Sequence, residues 1–434
     1  MHKHALLIAA LFALPMVPAS AFQDSTASAS IDYRAEVAQM RDDARMAAAF
    51  AHLTETHEAR LRDLVTLNEI PAPPFGEDAR AAAFAEMMRA TGFGEVMIDE
   101  VGNVVARRPG TVGDRMVMVA AHLDTVFPEE TDVTVRIDGD RYTAPGIGDN
   151  TRGAIMALQF ASAIATAGIR TEGDIVLVGN IGEEGLGDLR GVRHLFREGI
   201  QHPDAFIAID GGNETRLVTS AVGSNRYRVT FNGPGGHSWG DFGDGNPHHA
   251  AARAITRFVN AARPVTQDGP RSSYNIGRVG GGTSVNSIPF ESWFEVDMRS
   301  GDPDKLAALD AVFQQAMVDA LEAENAVRGD GQLLTVDVES IGQRPAGRGS
   351  LASSLVRRAG VLYAAQGIRP NFVASSTDSN IPISLGVPAI TISRCGISRG
   401  AHSLGEYWED DGDVPACTMR GLMLLVAEAG LAEN

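Results

Sequence analysis

Cysteine is nearly absent: Cys395 and Cys417 are the only two in a chain of 434 residues. Two cysteines cannot build the disulfide framework that replaces a core in small secreted domains, and this pair lacks the close spacing of a zinc–thiolate site. They fit either one disulfide or two buried thiols. Long apolar runs are missing after the first residues, which argues against further membrane-spanning helices. Positive charge is short as well, with 37 Lys and Arg against 55 Asp and Glu, a formal net charge of −18. That balance argues against nonspecific nucleic-acid binding and against adhesion to anionic lipid. No internal repeat occurs.

The rest of the composition is that of a folded chain. Hydrophobic residues make up 44%, enough for a sizeable core and too many for a disordered protein. The length leaves room for about two to three domains. At the N-terminus, Lys3 precedes the apolar run Ala5 to Leu14, followed by Pro15, Pro18 and the small-residue pattern Ala19-Ser20-Ala21. This reads as a signal peptide of residues 1–21, and the apolar run is shorter than the roughly 20 residues of a spanning helix. It predicts an exported protein, periplasmic or secreted, off the membrane after cleavage.

Residues 35–70 are rich in Ala, Arg and Glu at helical spacing, until Pro71, Pro73 and Pro74 break the run. A helix is expected over 77–91. Buried strands are expected at 115–121, 174–180 and 205–209, alternating with helices at 153–166 and 191–198. That alternation predicts an α/β layer with a mostly parallel sheet. Near residue 220 the pattern changes to strand, helix, two strands, helix and strand, the order of a ferredoxin-like α+β unit. After about 345 the helix–strand alternation resumes, ending on a strand at 389–393. The expected organisation is a catalytic layer of 35–220 and 341–434, interrupted by an insert at 221–340.

Chemistry-bearing residues fall just after the predicted strands. His122 and Asp124 follow the first (AAHLDTV), Glu183 and Glu184 the second (NIGEEG), Asp210 the third (AIDGG) and His402 the last (GAHSLGEYW). Asp149 stands before a helix in GIGDNTRG. In open α/β sheets ligands gather at the carboxyl ends of strands, so these distant residues are expected to converge. Imidazoles and carboxylates suit Zn²⁺ and related divalent ions. Three ligating carboxylates and one hydroxide balance the charge of two such ions. Asp149 is expected to bridge them, with His122 and Asp210 on one and Glu184 and His402 on the other. Asp124 is expected to accept the other N–H of His122 and fix its tautomer. Glu183, beside a ligand without being one, suits a general base.

The motifs HLDTV, GIGDNTRG, GEEGLGD, IDGG and GAHS together resemble the M20 family of metallopeptidases, most closely its peptidase T-like exopeptidase branches. The resemblance spans most of the mature chain. It implies a zinc-exopeptidase-like catalytic domain with a lid and dimerisation domain inserted, and hence a homodimer paired through the lid. It implies His122, Asp149, Glu184, Asp210 and His402 as ligands of two metal ions, zinc first, with cobalt or manganese as alternatives. Glu183 is then the catalytic acid/base and Asp124 the orienting carboxylate. Within the insert, His237 in GPGGHSWG resembles the family histidine that holds the substrate carbonyl or oxyanion, often in the partner's site. Asn286 in GGTSVNSIP resembles a substrate-contacting asparagine. Arg299 in VDMRS suits a substrate carboxylate, and Asp378 in SSTDSNIP resembles a family aspartate near the site. His194, His202, His248 and His249 read as ordinary structural or surface residues. One departure stands out: Asn150-Thr151-Arg152 follows Asp149 where the family often has Lys.

The expected activity is metal-dependent amide hydrolysis on small peptides, of aminopeptidase or dipeptidase type. An N-acyl amino acid amidohydrolase with the same machinery is the alternative, and a noncatalytic peptide or metal binder is the remote one.

Overall fold

The computed structural model describes residues 31–113, 115–329 and 331–433; the proposed signal peptide lies outside them. Residues Tyr33–Asn434 form one compact unit. The expected helical region opens the fold as three helices, Tyr33–Asp42, Ala44–Glu55 and His57–Asn68. Asp43 breaks the first from the second by turning its carboxylate onto the Arg45 amide as an N-cap.

The central sheet has nine strands: β1 (Glu95–Ile98), β2 (Val104–Arg108), β3 (Met116–His122), β4 (Asp174–Asn180), β5 (Ala205–Ile209), β6 (Arg216–Ala221) and, after a long excursion, β11 (Gly347–Arg348), β12 (Asn371–Ser375) and β13 (Ala389–Ile392). Their order is β1-β2-β4-β3-β5-β13-β6-β11, with β12 parallel to β6. The middle four, β4, β3, β5 and β13, are mutually parallel. Both faces of these strands are covered, which is why MVMVAA, DIVLVGN and AFIAI read as unbroken apolar runs rather than alternations. One face packs on helices Arg152–Thr166 and Val414–Ala429, both buried over most of their length.

The excursion is a second sheet, β7 (Gly223–Asn232), β8 (Ser272–Gly281), β9 (Glu291–Ser300) and β10 (Thr335–Arg344), in the antiparallel order β8-β9-β7-β10. With helices Pro247–Gln267 and Pro303–Val327 this is the expected β-α-β-β-α-β unit. β9 alternates buried and half-buried residues along its whole length, because only one face meets the helices. Phe231, Phe258, Phe294 and Phe313 fill a core separate from that of the central sheet. Each helix starts on an Asx cap followed by proline: Asn246-Pro247 and Asp302-Pro303.

Both connections between the sheets lie side by side. Val222 alone separates β6 from β7, and Arg344 at the end of β10 pairs with Ser224 at the start of β7. The last strand runs past the expected insert boundary at 340 as far as Arg344 and carries that side chain to the junction. Cys395 and Cys417 are joined by a disulfide, tying the segment after β13 to the C-terminal helix. Among the described residues, no helix is long and apolar enough to cross a membrane.

Candidate metal centre and cleft

The carboxyl ends of β3, β4 and β5 open onto one cleft of about 810 Å³. His122 is the last residue of β3 and is fully buried. Its Nδ1 lies 3.1 Å from the backbone carbonyl of Asp124 and 3.7 Å from the Asp124 carboxylate. The tautomer is therefore set mainly by a carbonyl oxygen rather than by the expected carboxylate. The Asp124 carboxylate instead accepts the amides of Glu183 at 3.0 Å and Glu184 at 2.7 Å. It orients the neighbouring strand end, so its positioning role reaches further than the sequence suggested.

The remaining nitrogen of His122, Nε2, is buried with no hydrogen-bond partner and lies 3.4 Å from Asp149 Oδ1. His122, Asp149 and Glu184 present ligand atoms all within 4.8 Å of one another. His402 completes the group from the opposite side, its Nε2 2.8 Å from Glu184 Oε1 and 3.5 Å from Asp149 Oδ2. An orphaned imidazole nitrogen facing carboxylates is what a divalent cation site requires of its donors. The residues present fit such a cation.

Asp210 reaches the same cleft through Arg394, whose Nη1 donates to Asp149 Oδ1 at 2.9 Å and lies 3.5 Å from Asp210 Oδ1. Burial opposes the charge on Asp149, but Arg394 and the two imidazoles outweigh it and hold its carboxyl well below the usual range. Burial, reinforced by Asp149, raises Asp210. Burial also disfavours a charged His122, yet Asp124 and Asp149 together raise it well above its ordinary value.

Glu183 is buried beside this group. Burial pushes its carboxyl well above the usual range, Arg344 offsets part of that, and Glu184 adds to it. Arg344 Nη1 donates to Glu183 Oε1 at 2.9 Å, and Nη2 donates to the Glu183 carbonyl. Asp378 lies behind, accepting from Asn180 Nδ2 at 2.9 Å, with burial raising it to about 7.

Three site residues escaped the sequence reading. Arg394 comes two residues after β13, where the strand-end rule points, but a guanidinium is not a metal-ligand type. Arg344 was hidden because its strand was expected to end earlier. Glu406 had no local signal. Its buried carboxylate accepts the amides of Gly146, Gly148 and Asp149 at 3.0, 2.9 and 2.6 Å and so shapes the loop that presents Asp149.

The insert residues divide. Arg299 lines the cleft, with its Nε donating to Asp297 at 2.7 Å. His237 and Asn286 do not line it. They sit together on a short exposed ladder where His237 pairs with Ser287 and the Ser238 amide donates to the Asn286 carbonyl. His237 Nδ1 accepts the amides of Trp239 and Gly240. Nε2 thereby carries the proton in the neutral ring and points outward from these contacts. The Asn150-Thr151-Arg152 departure turns away from the cleft: Asn150 donates to the Ile209 carbonyl, Thr151 to Asn68, and Arg152 to Gln159.

Residues 118–422 match peptidase family M20/M25/M40. The chain belongs to this family and is a hydrolase of a metal-dependent class. Its fold is similar to that of aminopeptidase PepT from Bacillus cereus, with TM-score 0.68 and 19% identity, covering 86% of this chain and 98% of that one. A tripeptidase from Staphylococcus aureus gives TM-score 0.68 and 21% identity over 85% and 98% of the two chains. A hydantoinase/carbamoylase family amidase from Burkholderia ambifaria gives TM-score 0.56 and 21% identity over 87% and 98%. No curated protein matches the sequence.

Proposed function

We propose that the protein is an exopeptidase of aminopeptidase or dipeptidase type, acting on small peptides with Glu183 as general base. The observation that carries this reading is the convergence of His122, Asp149, Glu184 and His402 around an unpartnered imidazole nitrogen, with Glu183 beside them. Bound at these residues and Asp210, two divalent cations, zinc first, would supply Lewis acidity that polarises an amide carbonyl and acidifies water. Glu183 takes the proton of the attacking water and later delivers it to the leaving amine. Its burial favours this, since a raised carboxyl pKa stands nearer the operating pH. Asp124 fixes the Glu183 and Glu184 amides. Arg299 holds a substrate carboxylate, and His237 and Asn286 would act only if brought to a cleft by a partner copy, in a homodimer paired through the small sheet. The mature chain, cut after Ala21, would work outside the cytoplasm.

The test is mass-spectrometric assay of metal-loaded protein on short peptides with free and acetylated N-termini. Removal of N-terminal residues from the free forms only is the expected result. Release of acetate from blocked forms would instead assign an N-acyl amino acid amidohydrolase. Glu183→Ala should lose nearly all turnover while its metal content, measured by elemental analysis, stays at the wild-type level; near-wild-type rates would falsify the assignment of the base.

A further inference from the structure

Away from the metal cluster the cleft is lined by four arginines, Arg216, Arg226, Arg299 and Arg399, against one carboxylate, Asp297. Asp297 engages only the Nε of Arg226, at 3.0 Å, and of Arg299, at 2.7 Å. Among the described residues, Arg216 and Arg399 make no ion pair. Arg216 Nη1 lies 3.6 Å from where a Cβ on Gly211 would stand, so its guanidinium covers the residue after Asp210. Arg399 comes three residues before His402 on the short strand Ile397–Arg399. Both thus flank candidate metal-cluster residues from outside the insert, whereas Arg226 and Arg299 come from β7 and β9 of the small sheet.

These arginines are not counter-ions of the acidic cluster. Arg394 already contacts Asp149 and Asp210, and Arg344 contacts Glu183. Divalent cations there would neutralise the remaining carboxylates. The cleft would then hold an excess of positive charge within a chain whose net charge is −18. Arg216 is half-buried and Arg399 exposed; neither has a carboxylate partner among the described residues, and guanidinium forks match carboxylates.

We propose that the substrate carries two carboxylates: a terminal one read by Arg299, and a second, from an acidic side chain, read by Arg216 and Arg399. This rests on the amide-hydrolase reading and narrows its substrate to acidic peptides or their N-acyl counterparts.

The test compares isosteric pairs that differ only in charge. Turnover of Ala-Glu is measured against Ala-Gln, and of Glu-Ala against Gln-Ala. N-acetylglutamate and N-acetylglutamine are titrated calorimetrically into the metal-loaded protein. The acid member of at least one pair should be favoured about ten- to hundredfold, the scale of a hydrogen-bonded charge. Arg216→Gln and Arg399→Gln should collapse that ratio, and Arg399→Lys should recover part of it. If a variant fails to fold, the wild-type comparison still decides. Tighter binding of the acid with no peptide or N-acyl compound cleaved would keep the second carboxylate site and sink the hydrolase reading. Equal values for acid and amide in every pair overturn the proposal, whatever the turnover.

Discussion

Arg344, at the last residue of the small sheet, donates to the carboxylate of Glu183 at 2.9 Å, at a strand end of the central sheet. The candidate base is therefore held from the other sheet, at the junction where the chain returns from it. Both groups are buried. Arg344→Met should cost about 3–5 kcal/mol, because it leaves a buried carboxylate without its partner. The double variant Arg344→Met/Glu183→Gln should recover most of that loss, since neither charge remains. Urea unfolding of the four proteins measures the coupling; additive losses would remove this pair from the account.

Glu406 tests how the Asp149 loop is built. Its carboxylate gathers three backbone amides and touches no ligand side chain. Glu406→Gln keeps the shape but retains a single acceptor oxygen and loses the charge. Metal affinity should fall about 10- to 100-fold, as for other groups that orient ligands, with the fold intact by circular dichroism. Unchanged affinity in a competition titration would mean that the loop is set elsewhere.

Arg394 stands between Asp149 and Asp210 and offsets their charge. Replacing it with glutamine leaves two half-buried carboxylates without the cation between them. The chelated variant should melt well below the chelated wild type, and added zinc should close most of the gap. Thermal scans with and without chelator measure both, and equal gaps in the two conditions would contradict the role.

The pH dependence has a defined sign. Asp149 and then Glu184 raise the His402 imidazole to about 10. Its stabilisation is complete below about 6.5, the unfolded value, and is lost as pH rises toward 10. Glu406 and Asp378, raised by burial to about 7, lose theirs as pH climbs from about 4 to 7. Asp149, held low, works in the opposite direction and loses its contribution only in acid. The chelated protein should therefore melt lower at pH 9 than at pH 5. Metal binding, which uses neutral imidazole and ionised carboxylates, should shift the optimum upward. A chelated protein more stable at pH 9 would refute this ordering.

The apolar runs read at 115–121, 174–180 and 205–209 determined three parallel strands by themselves, because a strand buried on both faces has no polar alternation to read. The side chains just beyond those runs were legible as a metal-type set, since strand direction alone sends them to one end of the sheet. The βαββαβ order of the insert was legible from the change of pattern near residue 220 to strand, helix, two strands, helix and strand. What only the tertiary structure decided is the company these residues keep. Glu406 acts through backbone amides 257 to 260 residues away, and Arg344 reaches Glu183 across 161 residues. Arg394 lies between carboxylates supplied by two other segments. No local period encodes such contacts, because a charge is buried only when its partner arrives from elsewhere in the chain.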